Sequence, residues 1–296
     1  MNNIICVERT EWIEAPELRP DFHQFVVGDI HGYADQLNSI IDEMSKFEQD
    51  DSEITFVGDI IDYGPDCIGS IINAVSDSDG KFIGKRRFII GNHEVFMIRA
   101  TFASQVDNQD FNLWRNLASG HAMITQFENE NTTIHTIKND IAMEIARRIG
   151  RKGELDAGLE ILDQIWFAPT YLENGNILMV HGGLNPEIDK DNFLAWMDRD
   201  RSINEMHMHT DLPINIRYDF LDYKGPFKTG HFVVHGHTPE HITGPKEWGE
   251  TPGIWHHVVK GHRLSLDGHY QDDGAVIGAE ILPGKYRIYR AQNSNL

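Results

Sequence analysis

Five short segments hold most of the side chains that could do chemistry together. They read Val27-Gly28-Asp29-Ile30-His31-Gly32, Val57-Gly58-Asp59-Ile60-Ile61-Asp62, Ile90-Gly91-Asn92-His93-Glu94, Val180-His181-Gly182-Gly183 and Val234-His235-Gly236-His237-Thr238. In each, an apolar run ends abruptly in Asp, Asn or His. Carboxylate mixed with imidazole suits first-row divalent ions such as manganese, iron, cobalt or zinc. Carboxylates alone would suit magnesium or calcium. Two ions held about 3.5–4 Å apart by a bridging carboxylate activate a shared water and clamp phosphoryl oxygens. One such segment could be a loop with a capping Asp and a packed His. Five in this order, each after an apolar run, point to one metal centre.

The elements around these segments say how they could meet. Residues 25–28, 54–57 and 88–90 read as short buried strands, as do Asn176–Val180 and Phe232–Val234. Ala34 to Phe47 has helical spacing, with Leu37, Ile40, Ile41 and Met44 on one face. Helices are also predicted from Ile68 to Val75, from Glu94 to about Phe102, over residues 138–149, and from Leu155 to Ile165. Strand and helix alternate early, which implies an α/β arrangement with some parallel pairing. From Trp255 to Tyr289 the pattern is strand-like with Gly turns. In open α/β sheets, ligands bind beyond the carboxyl ends of strands. Strands that all end in metal-binding residues can therefore converge on one spot.

Composition bounds the partners. The chain has 296 residues, and 26 Lys+Arg against 46 Asp+Glu give a formal charge of −20. Such a surface repels nucleic acid and anionic lipid, so neither is expected as a partner. The two cysteines, Cys6 and Cys67, make no disulfide framework. No signal-like leader and no apolar span of about 20 residues is apparent, and a cytoplasmic location is the expectation.

Taken together, the segments resemble the calcineurin-like metallophosphoesterases. Within them the sequence is most similar to the bacterial and phage serine/threonine phosphoprotein phosphatases and the related symmetrical diadenosine tetraphosphatases. The likeness runs from about Phe25 to Ile288 and includes Leu113-Trp114-Arg115-Asn116, Tyr171-Leu172-Glu173 and Asp273-Gly274-Ala275-Val276. It implies a fold of α/β (α+β) class, a two-sheet β sandwich flanked by helices. It also implies a single domain over residues 1–296, with a mostly helical insertion or cap at about 107–170. By the same resemblance, Asp29, His31 and Asp59 bind one divalent ion. Asp59 bridges to a second, completed by Asn92, His181 and His237. Manganese is the expected ion, with iron, zinc or cobalt as alternatives. His93, oriented by Asp62, protonates the leaving alkoxide, and a metal-bridging water attacks. The expected substrate is a phosphorylated protein or small molecule. A dinucleoside polyphosphate is the alternative, and a non-catalytic metal-binding scaffold is a weaker one.

The chain departs from the phosphatase pattern in its arginines. Tyr63 stands where that branch usually has Arg, and Ile90 where Arg often precedes Gly-Asn-His-Glu. Those arginines would grip phosphate bidentately. Tyr63 can offer one hydrogen bond, and Arg199 is the expected replacement cation, with Arg201 as the other choice. Pro239 stands where many nucleases of the superfamily place a second His, which disfavours a nucleic-acid diesterase.

Overall fold

The computed structural model describes residues 5–75, 82, 84–102, 108–128, 132–206, 209–223, 225–238, 257–258, 262–268 and 274–294. Two sheets form the body. The first contains β1 (Ile5–Arg9), β2 (Ile13–Glu14), β3 (Gln24–Val27), β4 (Glu53–Phe56), β5 (Lys85–Phe88), β11 (Val276–Leu282) and β12 (Lys285–Asn293). Its order is β1-β12-β11-β3-β4-β5, with β2 also on β12. The second contains β6 (Tyr171–Asn174), β7 (Ile177–Val180), β8 (Phe232–His235), β9 (His257–Val258) and β10 (Arg263–Ser265), in the order β6-β7-β8-β10-β9.

Each sheet has three mutually parallel strands. In the first they are β3, β4 and β5; in the second, β7, β8 and β10. The antiparallel additions, β11 and β12 above all, come from the late strand-rich stretch. The central parallel strands β3, β7 and β8 are short, largely apolar and buried throughout, because both their faces are covered. Between the sheets, Val26, Val57 and Ile89 share one core with Met179, Phe232, Val234 and Leu264.

Helices cover the outer faces. On the first sheet lie α1 (Ala34–Met44), α2 (Cys67–Val75) and α3 (Asn92–Phe102). The α1 face is buried through Leu37, Ile40, Ile41 and Met44, as its spacing requires. The stretch after α3 contains α4 (Asn108–Asn112), a π-helix (Leu113–Leu117), α5 (His121–Ile124), α6 (Ile137–Arg148) and α7 (Leu155–Trp166). Its apolar residues Trp114, Ile141, Ile145 and Leu162 enter the same cluster as Ile40 and Ile71. The helical stretch thus packs on the first sheet's helical layer. On the second sheet lie α8 (Phe193–Trp196) and α10 (Tyr218–Leu221), with Phe193, Trp196 and Phe220 packed against Leu178 and Val233, whereas α9 (Arg199–Glu205) packs through Ile203 on the first cluster. No helix among the described residues is long and apolar enough to cross a membrane.

One expected strand lies elsewhere. Residues 88–90 were the apolar run, but the strand is Lys85–Phe88. It is the sheet edge, where Lys85 and Arg87 reach solvent, so polar residues suit it. Ile89 and Ile90 are buried in the run toward Asn92.

Candidate metal centre

Five parallel strands of the two sheets end at one place. Asp29 follows β3, Asp59 follows β4 and Asn92 opens α3 after β5; His181 follows β7 and His237 follows β8. The sixth parallel strand, β10, leads to the buried Asp267; burial first, and then the charge of Asp267, push the Asp29 carboxyl pKa up. The backbone at these ends is strained. Six described non-glycine residues have left-handed φ, and five of them are His31, Asp59, Asp62, Tyr63 and His237. Such conformations cost on the order of 1–3 kcal/mol each and gather at functional sites. The crowding also sets two glycines. A Cβ on Gly236 would lie 1.9 Å from Asp29 Oδ1. Gly58 has φ +98°, and a Cβ there would meet Gly91 and the His181 ring.

Asp59 is the hub. Its Oδ2 lies 3.3 Å from His181 Nε2, 3.8 Å from His31 Nε2 and 3.8 Å from His93 Nε2. Its Oδ1 accepts the His93 backbone N–H at 3.0 Å. Asp29 accepts the His237 backbone N–H through both oxygens, at 3.0 and 3.1 Å, and lies 3.9 Å from His31 Nε2. His31 Nδ1 donates to the Ile61 carbonyl at 3.0 Å, and His181 Nδ1 to that of Val57 at 2.8 Å. Those bonds fix each tautomer and turn each Nε2 toward the carboxylates. His181 Nε2 also lies 3.0 Å from Asn92 Oδ1. His237 Nε2 is buried with no hydrogen-bond partner.

Donor atoms of Asp59, His181 and His237 lie within 4.8 Å of one another, and so do those of His31, Asp59 and His93. Inward-facing imidazole nitrogens, buried carboxylates and an amide oxygen, with one imidazole nitrogen orphaned, form a donor set that fits first-row divalent ions. Charge is arranged to match. Burial pushes the Asp59 pKa up, but His181, His93 and His31 outweigh it and hold it well below the usual range. Burial, then His181 and Arg217, hold His237 well below its ordinary value, which keeps it neutral and able to ligate.

His93 is built differently from the other imidazoles. Its Nδ1 bonds Asp62 Oδ2 at 2.8 Å. Burial opposes its charge, yet Asp59 and Asp62 raise its pKa to about 9. Burial moves Asp62 up to about 6 against its bonds from His93 and Trp114. Between these values the pair is an imidazolium on a carboxylate. Nε2 remains to deliver a proton, on the side that faces Asp59.

Three supporting residues carried no role in the sequence reading. Trp114, fully buried in the π-helix, donates to both Asp62 oxygens at 3.2 and 3.3 Å. Glu94 accepts the N–H groups of Asp59, Ile60 and Gly91 at 2.8–2.9 Å. Burial and Asp59 push its pKa up to about 7 against these donors. Arg217 donates to Thr238 Oγ1 at 3.0 Å, and its charge is felt by both His237 and Tyr63. It lies beside a cavity of about 460 Å³ whose lining includes Asn92 and His237. The Gly-Asn-His-Glu and Leu-Trp-Arg-Asn segments signalled the first two. Nothing local to Arg217 signalled the third.

Tyr63 covers the cluster's edge. It is 47% exposed, and its ring lies 4.9 Å from that of His31 and 5.3 Å from that of His93. Arg199 donates from Nε to the Ala168 carbonyl at 2.9 Å and faces Asp200 at 3.5 Å; neither contact belongs to the cluster. Arg201 pairs with Glu205. His235 packs edge-on against Phe220 and lies 3.2 Å from Arg263. Pro239 lies outside the described residues.

No curated protein matches the sequence. Among solved structures, it is similar to a metallophosphoesterase from Sphaerobacter thermophilus, with 14% identity, 92% of this chain and 89% of that chain covered, and a TM-score of 0.47. It is also similar to a cold-active protein tyrosine phosphatase of a psychrophilic Shewanella species, at 15% identity, 90% and 79% coverage and a TM-score of 0.47. A protein serine/threonine phosphatase from Saccharomyces cerevisiae matches at 15% identity, 93% and 81% coverage and a TM-score of 0.40. The sequence profile of the calcineurin-like phosphoesterases matches residues 23–272. With that profile spanning most of its length and this donor set beneath it, the chain belongs to the calcineurin-like phosphoesterases, hydrolases that act on phosphate esters with divalent metal ions.

Proposed function

We propose that this phosphoesterase hydrolyses phosphate monoesters whose leaving group is a basic alkoxide. The observation that carries the reading is the buried His93–Asp62 pair, held 3.8 Å from the Asp59 carboxylate through His93 Nε2. Such a proton donor matters most where the departing oxygen is too basic to leave unprotonated. Asp29, His31 and Asp59 would hold one ion, and Asp59, Asn92, His181 and His237 the second. When bound, the ions supply an activated water and neutralise the phosphoryl oxygens. Manganese is the first ion to test, since the donors also suit iron, zinc or cobalt.

The residues of the chain do the rest. Arg217 stands at the cavity and can grip the phosphoryl oxygens, supplying a charge that Tyr63 does not. His93 gives its Nε2 proton to the leaving oxygen as the phosphorus–oxygen bond breaks. Asp62 stabilises the imidazolium before transfer and keeps the ring in place afterwards. The single arginine in the cavity lining, with Asp211 and Asp219 beside it, suits one phosphate better than a chain of four.

The test uses metal-stripped protein with Mn²⁺ added back, and compares glycerol 2-phosphate with p-nitrophenyl phosphate. Wild type should regain activity on both. His93→Asn should bind metal normally yet lose on the order of 10²–10⁴ in kcat on the alkyl ester, and less on the aryl ester. Unchanged turnover of glycerol 2-phosphate by His93→Asn would sink the general-acid role. Loss of metal from that variant would make His93 a ligand instead.

A further inference from the structure

The cavity beside the cluster has a wall that phosphate binding alone does not explain. Next to Arg217, Tyr218 opens α10 and is 74% exposed. Phe96, half-buried, contributes a second ring to the lining. Asn215 also lines the cavity. Its amide is oriented because Nδ2 donates to the Met206 and His209 carbonyls at 3.2 and 3.0 Å. Its Oδ1 is buried without a donor. Asp211 and Asp219 can accept from hydroxyl groups. The volume, about 460 Å³, is that of a small-molecule pocket.

These features specify a ligand chemically. It carries one phosphate for the metal cluster and Arg217, a flat ring to stack on Tyr218, and N–H or O–H donors for the two carboxylates. The acidic residues oppose further phosphates. The alcohol released is aliphatic, the kind that needs His93. We propose that the cavity receives the nucleoside part of a nucleoside monophosphate, with its base on Tyr218. The proposal rests on the monoesterase reading above and names its substrate class.

Binding and turnover are measured separately so that the two readings can fail separately. Adenosine and cytidine, which carry no phosphate, are titrated calorimetrically into the metal-free full-length protein. At least one should bind at low millimolar concentration or better. Tyr218→Ala should weaken it about 10-fold or more, as loss of a base–aromatic stack implies, while Tyr218→Phe should retain it. Phe167→Ala, which removes another exposed ring away from this cavity, should change nothing. With Mn²⁺, the corresponding nucleoside 5′-monophosphate should show a KM at least 10-fold below that of glycerol 2-phosphate. Absence of nucleoside binding, or equal binding by Tyr218→Ala, overturns the proposal even if glycerol 2-phosphate is hydrolysed. Nucleoside binding without hydrolysis of any monoester leaves the pocket standing and sinks the monoesterase reading.

Discussion

At the scale of single residues, the centre works by setting unlike charges on like side chains. His237 is held neutral by burial, His181 and Arg217, whereas His93, equally buried, is held protonated by Asp59 and Asp62. One can ligate a cation and the other can give a proton. The His93 shift has a consequence for stability in the metal-free protein. Its folded pKa, about 9, lies above its ordinary value of 6.5. Protonated His93 therefore stabilises the fold fully below about pH 6.5, and that contribution disappears as the pH rises through about 9. Urea unfolding in chelator should show it. The advantage of wild type over His93→Gln should shrink by on the order of 3 kcal/mol between pH 6 and pH 10. A pH-independent difference would mean that His93 is neutral in the metal-free fold.

At the scale of elements, strand ends position the candidate ligands, and one irregular helix holds Asp62, the partner of the proposed acid. The π-helix Leu113–Leu117 presents Trp114 to Asp62, in keeping with the tendency of such segments to occur at functional sites. Trp114→Phe keeps the ring and removes the N–H. It should lower kcat about tenfold on an alkyl phosphate, from loss of a hydrogen bond to a charged group. On p-nitrophenyl phosphate, which leaves without a proton, the loss should be smaller. Equal losses on both would make Trp114 a packing residue only. Much of this layer was legible in the sequence. The apolar runs ending in Asp, Asn or His gave the strand ends, and the α1 face gave its own packing. Edge strand β5 was misplaced because apolar content is a poor guide where one side of a strand meets solvent. Arg217 was missed because its place beside His237 follows from packing of the 209–217 loop ahead of α10, and nothing in its neighbours' types announces that.

At the scale of the whole molecule, two sheets close on each other so that residues far apart in sequence meet. Asp29 and His237, separated by 208 positions, share hydrogen bonds. The body carries a formal charge of −20, within which divalent ions held at the centre would form, with Arg217, a local positive spot. Anionic substrates would thus be repelled at long range and attracted at short range. Raising ionic strength from low to physiological values should raise kcat/KM for a nucleotide or sugar phosphate, since screening removes the long-range repulsion first. A steep fall with salt would instead indicate an extended basic surface. Duplex DNA should not be retained at low salt.

In the binuclear centre proposed here, one carboxylate, Asp59, serves two metal ions. Its most direct test is the metal content of the purified chain after loading with Mn²⁺ and removal of excess, measured by plasma mass spectrometry for wild type and Asp59→Asn. The expected result is about two ions per wild-type chain, as a binuclear centre requires, and loss of both in the folded variant. Retention of two ions by Asp59→Asn, or a single ion in wild type under saturating metal, would contradict it.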